Sequence, residues 1–482
     1  MNSQEHTDYP DFENEDEIEE KISRFTKAIR LNRKGSSSDV EMPDLNTVEI
    51  LTNYCIEKKN FKDAKEFGQV WTEYFPTSGE AWSKYSFILM SLNKFKEAIL
   101  ACDQCLAIDP FDTDAMLTRA MIFEQSTEPE KSLEECEKIL NLEPENYEAM
   151  FHKAVALTML KQFFTSIKIL RFLLSIDDLK KDAAHELAFV YNLEGKKSKA
   201  IEYYKLSAEL DPFESNNWFN LGIIYSSKSQ FYRAIDAYKT CISLNPKFYQ
   251  AWYNLGTSYS LLGRFYDACQ AFENAFEIEP DNIELLNNIA SVYGDLGEYN
   301  KSIEKFTQVI EFSKSLYQTY FGRGICFDAV EKYEEAVEDF DMAIVLRPNL
   351  AEIWHARGDS LYSQEKIARA ALSYKKVTEL NPRNISGWID YGNTLIELGK
   401  IESAKGVFKR ITEDYPESSE GYLGMGKILT LTGDFDRSLS LLSKAFLISP
   451  QKYKIFSKEL EPILNDFPDF AKRLKAILNS AV

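Results

Sequence analysis

Large apolar and small residues recur along the chain in a fixed order. Between Ser215 and Asn282 the order is Trp218, Leu221, Gly222 and Tyr225, then Ala234, Tyr238, Cys241 and Pro246. It returns as Trp252, Leu255, Gly256 and Tyr259, then Ala268, Phe272, Ala275 and Pro280, every partner 34 residues on. In each copy the early group falls at i, i+3, i+4 and i+7 and the later one at i, i+4 and i+7, the spacing of one buried helix face. The pattern predicts a unit of two helices of about 13 residues joined by a tight turn.

From Leu45 this period runs through Gln451–Lys452 without an insertion or deletion. Twelve windows start at Leu45, Gly79, Thr113, Tyr147, Lys181, Ser215, Tyr249, Ile283, Tyr317, Ala351, Ile385 and Ser419. Place 20 is Ala or Ser in all twelve, from Ala64 to Ser438, and place 8 is never large, from Thr52 to Gly426. Small residues at fixed places predict a close helix crossing, where a bulky side chain would force the backbones apart. Place 32 is proline in ten windows, the exceptions being Asp178 and Lys314. Proline there stops the second helix and sets the turn into the next unit. Windows three and four fit worst, with Met116, Arg119, Lys153 and Asp178 at signature places.

The flanks differ. Residues 1–44 combine an acidic stretch, Met1 to Glu20, expected to be disordered, with a helical run of Ile18, Ile22, Phe25 and Ile29. Lys21, Arg24, Lys27, Arg30, Arg33 and Lys34 surround that run, and Gly35–Ser38 is a flexible break. The basic amphipathic helix is expected to cap the first unit or stay loose; a membrane-surface or partner helix, or a plug for an acidic groove, is the other reading. Residues 453–482 read as two capping helices split near Pro468, with Phe456, Leu460, Ile463 and Leu464 on the first and Phe470, Leu474 and Ile477 on the second.

The motif W-x2-L-G-x2-Y…A-x3-F/Y…P, complete at Trp218–Pro246 and Trp252–Pro280, resembles the tetratricopeptide repeat. The resemblance implies an all-α fold, a right-handed superhelical solenoid of tandem helix-turn-helix repeats. It also implies that the inner wall binds extended peptides. Units of this kind bury their apolar faces only by stacking, so length counts units rather than globular domains.

Charge narrows the partners. The chain of 482 residues carries 56 basic and 76 acidic residues, a net charge of −20. Such a surface repels phosphate backbones, so no nucleic acid is expected as a partner. No apolar run is long enough for stable membrane insertion. The first twenty residues hold nine acids and no base, the reverse of a secretory leader, and the expected compartment is the cytoplasm. The seven cysteines form no secreted-type framework. Cys102 and Cys105 fall on core places of a second helix, where Cys is a small hydrophobe, and no second pair or nearby His completes a metal set. His152, His185 and His355 stand in different windows with no nucleophile at catalytic spacing, and no phosphate-binding loop is present. The chain is therefore expected not to be an enzyme and to need no cofactor or metal.

The informative positions lie opposite the core of each first helix. Places 2, 5, 6, 9, 12 and 13 are expected to line the inner wall; over twelve windows they hold sixteen Asp or Glu and two cations, Lys84 and Lys427. The Lys, Arg and Asn clamp with which the family takes carboxylate-ended tails is absent. Place 6 reads Asn220, Asn254 and Asn288 in successive windows. An Asn amide has one acceptor and two donors and can pair with both C=O and N–H of an extended backbone. The row is similar to the asparagine ladder in the repeat domain of the O-linked N-acetylglucosamine transferase. Asn216, Phe219, Gln250, Tyr253 and Asn287 stand beside it, and Phe321 adds an apolar pocket further on. The function expected is a non-catalytic scaffold or adaptor whose groove holds a neutral or basic extended segment of a protein partner. A self-associating assembly component, or a regulatory subunit of a separate enzyme, is the alternative.

Overall fold

The helix boundaries follow the 34-residue period closely. The structure, a computed structural model, describes residues 15–33 and 42–481; the start of the acidic stretch and the Gly35–Ser38 break lie outside the described residues. Among the described residues there is no strand. The chain divides into two units, residues 1–230 and 231–482.

The first unit opens with α1 (Glu15–Arg33), followed by α2 (Leu45–Glu57), α3 (Phe61–Tyr74), α4 (Gly79–Ser91), α5 (Phe95–Ile108) and α6 (Thr113–Gln125). It continues with α7 (Pro129–Leu142), α8 (Tyr147–Met159), α9 (Phe163–Leu173), α10 (Lys180–Leu193), α11 (Lys197–Leu210) and α12 (Ser215–Ser227). From α2 onward each helix packs on the next, and the first helices α4, α6, α8 and α10 also touch one another in sequence. The fifth window begins one residue early. Asp178 replaces the usual proline, α9 stops at Leu173, and a 3-10 turn at Asp177–Leu179 carries the chain into α10. With no proline to end the helix, a tighter turn does so instead.

The second unit comprises α13 (Phe231–Leu244), α14 (Tyr249–Leu261), α15 (Phe265–Ile278), α16 (Ile283–Asp295), α17 (Tyr299–Phe312) and α18 (Tyr317–Ala329). Then come α19 (Tyr333–Leu346), α20 (Ala351–Ser363), α21 (Ile367–Leu380), α22 (Ile385–Glu397), α23 (Ile401–Asp414), α24 (Ser419–Leu431) and α25 (Phe435–Ile448). Two short helices, α26 (Tyr453–Glu459) and α27 (Glu461–Asp466), and a longer one, α28 (Pro468–Ala481), follow. The two helices expected after residue 452 are thus three. Pro468 makes the predicted break, and Pro462, in the first turn of α27, makes a second, because proline cannot donate to the preceding turn. Phe456, Leu460, Phe470 and Leu474 are buried with Leu439, Leu442 and Phe446 of α25.

The turn inside every window has one geometry. Place 15 has a positive φ in all twelve, five times as Gly (Gly195 among them) and seven times as another residue, from Lys59 to Glu365. The next residue donates its N–H to the carbonyl five positions back, as Asn60 does to Cys55 and Gln162 does to Leu157, both at 2.8 Å. This left-handed cap satisfies the last carbonyls of the first helix and reverses the chain.

Packing explains the small places. A Cβ on Gly358 would lie 2.5 Å from the Tyr374 ring, and one on Gly392 would lie 2.7 Å from Phe408. Where place 8 is Gly256, Gly324, Gly358 or Gly392, the aromatic at place 24 of the same window lies against it, and Leu442 lies against Gly426 in the same way. Between windows the link is a hydrogen bond. The indoles of Trp82, Trp218, Trp252, Trp354 and Trp388 each donate to the carbonyl of the preceding window's proline, at 2.9–3.2 Å. At the N-terminal end Ile18, Ile22 and Ile29 of α1 are buried with Val48, Leu51 and Phe67. Arg30 pairs with Glu66 at 3.1 Å and Asp63 at 3.3 Å on α3.

Candidate functional site

Two of the cavities in the first unit are lined mainly by first helices. The larger, about 500 Å³, has Phe87 of α4, Leu117 and Met121 of α6 and Phe151 of α8 among its lining. These occupy places 5 and 9, two of the positions expected to line the inner wall. Asp114, Glu148 and Asp182, all at place 2, share the lining, and Lys84 is the cation among it. The smaller cavity, about 370 Å³, is bordered by His185 of α10 and by Asn216, Asn217 and Asn220 of α12. Asn217 is buried, and its Oδ1 lies 2.8 Å from His185 Nδ1.

The predicted residues of this unit have different surroundings. Asn220 is half-buried, borders the smaller cavity, and makes no side-chain hydrogen bond among the described residues. Asn216 is exposed and donates its amide to Glu214 at 2.8 Å, so it completes the cap of its own helix. Phe219 is half-buried on the same helix.

In the second unit the neighbouring windows interlock. Asn288 Nδ2 donates to the Tyr253 hydroxyl at 3.3 Å, and that hydroxyl donates to Glu284 at 3.0 Å. Burial, with the Glu284 carboxylate against it, pushes the Tyr253 phenol up. Asn287 Oδ1 accepts the Thr319 hydroxyl at 2.7 Å. Phe321 lies 5.9 Å from Phe340 in a tilted pair and packs on the core of its window. Gln250 is exposed, and Asn254 is half-buried with no side-chain hydrogen bond among the described residues. The structure therefore brings Asn216 and Asn220 to one cavity and joins Tyr253 to Asn288. It commits Asn287 to a link between windows and Phe321 to the core of its own window.

Half-buried arginines paired with carboxylates stand at two places where the motif has an apolar residue. Arg119 stands where the motif has an apolar residue; it reaches Glu135 at 2.8 Å and Asp103 at 2.9 Å. Arg323 repeats the arrangement with Asp339 at 2.7 Å. A charge at such a place is tolerated because a carboxylate sixteen residues on neutralises it. Cys102 and Cys105 are fully buried, and burial pushes their thiols up to about 11 and about 12, which keeps them protonated and unreactive. Among the described residues no three His, Cys, Asp or Glu side chains are grouped as metal ligands, and no helix is long and apolar enough to cross a membrane.

The candidate residues chosen by spacing, centred on Asn220, Asn254 and Asn288, do not include the apolar floor at Phe87, Leu117, Met121 and Phe151. Its signal was legible: a large apolar residue at place 5 or place 9 in three successive windows, where solvent-facing polar residues would serve a plain helix.

An all-α array of helix–turn–helix units, each buried only against its neighbours, defines a repeat protein of the solenoid class. Tetratricopeptide repeat models match residues 79–112, 182–214, 216–248, 237–270, 283–315 and 361–428. The chain is a tetratricopeptide repeat protein. No curated protein matches it. Solved structures similar to segments of it include YrrB, described as a TPR protein with an unusual peptide-binding site, at 18% identity over 38% of this chain and 95% of that one, with a TM-score of 0.34. MamA from Desulfovibrio magneticus RS-1 is 17% identical over 36% of this chain and 97% of its own, with a TM-score of 0.34. PilF of Pseudomonas aeruginosa is 15% identical over 43% and 94%, with a TM-score of 0.37.

Proposed function

We propose that the protein is a non-catalytic interaction scaffold that holds an extended segment of a partner protein on its first-helix face. The observation that carries this reading is the cavity of about 500 Å³ whose lining includes Phe87, Leu117, Met121 and Phe151. Apolar side chains left half-open in a concave site are the usual mark of a surface that another chain completes.

The asparagines supply the second part. Asn220 and Asn254 have half-buried amides with no partner among the described residues, and Asn288 spends one donor on Tyr253. Their remaining donors and acceptors suit the alternating C=O and N–H of an extended backbone, which grips a segment without reading its sequence. Phe219 and Tyr253 would offer apolar contact beside them, with Gln250 at the exposed edge.

Each Asn→Ala change should weaken partner binding by about 0.5–1.5 kcal/mol. The measurement is affinity capture from the native cell with the wild type and the triple variant N220A/N254A/N288A, followed by titration of the captured partner. A triple variant that binds the same partner with undiminished affinity would remove the asparagines from the site.

A further inference from the structure

Place 2 carries a carboxylate in four successive windows of the first unit: Glu80, Asp114, Glu148 and Asp182. All four are exposed, and none makes a hydrogen bond or ion pair among the described residues. A first-turn acid is favourable at any helix N-terminus. What the helix dipole does not require is their company. Asp114, Glu148 and Asp182 line the same cavity as Phe87, Leu117, Met121 and Phe151.

A further negative charge lies close by. Glu124 of α6 sits 3.1 Å from His152 Nδ1, and His152 lines that cavity. Glu186 of α10 has neither a hydrogen bond nor an ion pair among the described residues. Burial, reinforced by the Glu124 charge, pushes its carboxyl up to about 7. A carboxyl held in this way lacks the cation that would favour its ionised form. Lys84 of α4 is the cation in the cavity lining, and it belongs to the earliest of the three helices that supply the floor.

We propose that this stretch of the first unit recognises a segment of alternating basic and large apolar residues. Its Lys or Arg side chains meet the Asp114–Glu148–Asp182 row, and its apolar side chains lie on Phe87, Leu117, Met121 and Phe151. Lys84 disfavours a cation at the α4 end and so gives the bound segment a direction. The proposal rests on the scaffold reading above and names the chemistry of the partner. Complementary charge beside an apolar floor supplies selectivity and encounter rate, while the floor supplies most of the affinity.

The test uses the full chain and short fluorescein-labelled peptides read by fluorescence anisotropy: alternating Leu–Lys, Leu–Glu, Leu–Ser and Gly–Lys. The Leu–Lys peptide is expected to bind most tightly. The variant D114K/E148K/D182K should weaken it roughly tenfold or more and strengthen the Leu–Glu peptide. These three side chains are exposed, and an unchanged melting curve shows that the variant folds. Equal binding of Gly–Lys and Leu–Lys would overturn the role of the apolar floor. Leu–Ser binding as tightly as Leu–Lys, with no response to charge reversal, would overturn the basic class and leave a peptide-binding face in place. Failure of every peptide to bind would remove both the class and the face.

Discussion

Place 15 shows how one backbone angle sets the turn in every window and how little the side chain there matters. Gly195, Gly263, Gly297, Gly399 and Gly433 adopt the left-handed conformation without cost, while Thr127 holds φ 57° with a β-branched side chain. That conformation is strained for such a residue by about 1–2 kcal/mol. Replacing Thr127 by Gly should therefore stabilise the first unit, by about 0.5–1 kcal/mol once the added freedom of the unfolded chain is subtracted. Urea unfolding of the variant checks it; a lower midpoint would show that the Thr127 side chain contributes more than its backbone loses. At this scale the sequence was only partly legible. Place 8 announced a close approach, since Gly and Ala recur there, but at Gly256, Gly324, Gly358 and Gly392 the partner is the place 24 ring of the same window rather than a bare crossing of backbones. By spacing, Asn287 and Asn216 are groove residues. Thr319 and Glu214 engage them instead, and a periodic reading cannot see which polar neighbour a side chain chooses.

Between elements, polar links fasten one window to the next. His355 of α20 is held by two carboxylates, Asp359 on its own helix at 3.2 Å and Asp390 of α22 at 2.9 Å. The Tyr374 ring of α21 lies 5.6 Å from the imidazole, and its hydroxyl donates to Asp359 at 2.8 Å. Hydrogen bonds to Asp359 and Asp390 outweigh burial and raise His355 to about 10. A raised pKa in the folded state means that the protonated form is bound more tightly there. The stabilisation is complete below the ordinary histidine value of about 6.5 and fades as pH climbs through the folded value. His355→Gln should therefore destabilise the second unit most in mildly acidic buffer, and the gap from wild type should narrow steadily toward alkaline pH. Urea midpoints of both proteins across that range test it. A gap that stayed constant or widened with pH would contradict the clamp. The periodic pattern placed α20 and α22 correctly, with starts at Ala351 and Ile385. It offered no partner for His355, because Asp390 stands a whole window away in sequence.

At the scale of the whole chain, the period carried nearly all of the architecture. Eleven of the twelve predicted window starts coincide with helix starts, and the twelfth, at Lys180, moves by one residue where proline is missing. Two distinct spacings, helical within a unit and 34 residues between units, leave little freedom for any other fold. The proposed binding face was less legible for a physical reason. First-helix positions are judged by composition until the packing shows which side chains remain open. By that measure the asparagine row stands out, while the half-open Phe87, Met121 and Phe151 lie among acids. In the second unit the Tyr253 hydroxyl accepts from Asn288 and donates to Glu284, a pairing between neighbouring windows that spacing alone does not show.

The central claim is that partners are taken on the first helices rather than the second. A photo-crosslinking amino acid placed in vivo at Phe151 or Asn254, and in parallel at the exposed Phe164 or Tyr266 of second helices, tests it most directly. The account predicts covalent capture of one partner at positions 151 and 254 and none of it at 164 and 266. Capture confined to positions 164 and 266 would contradict it.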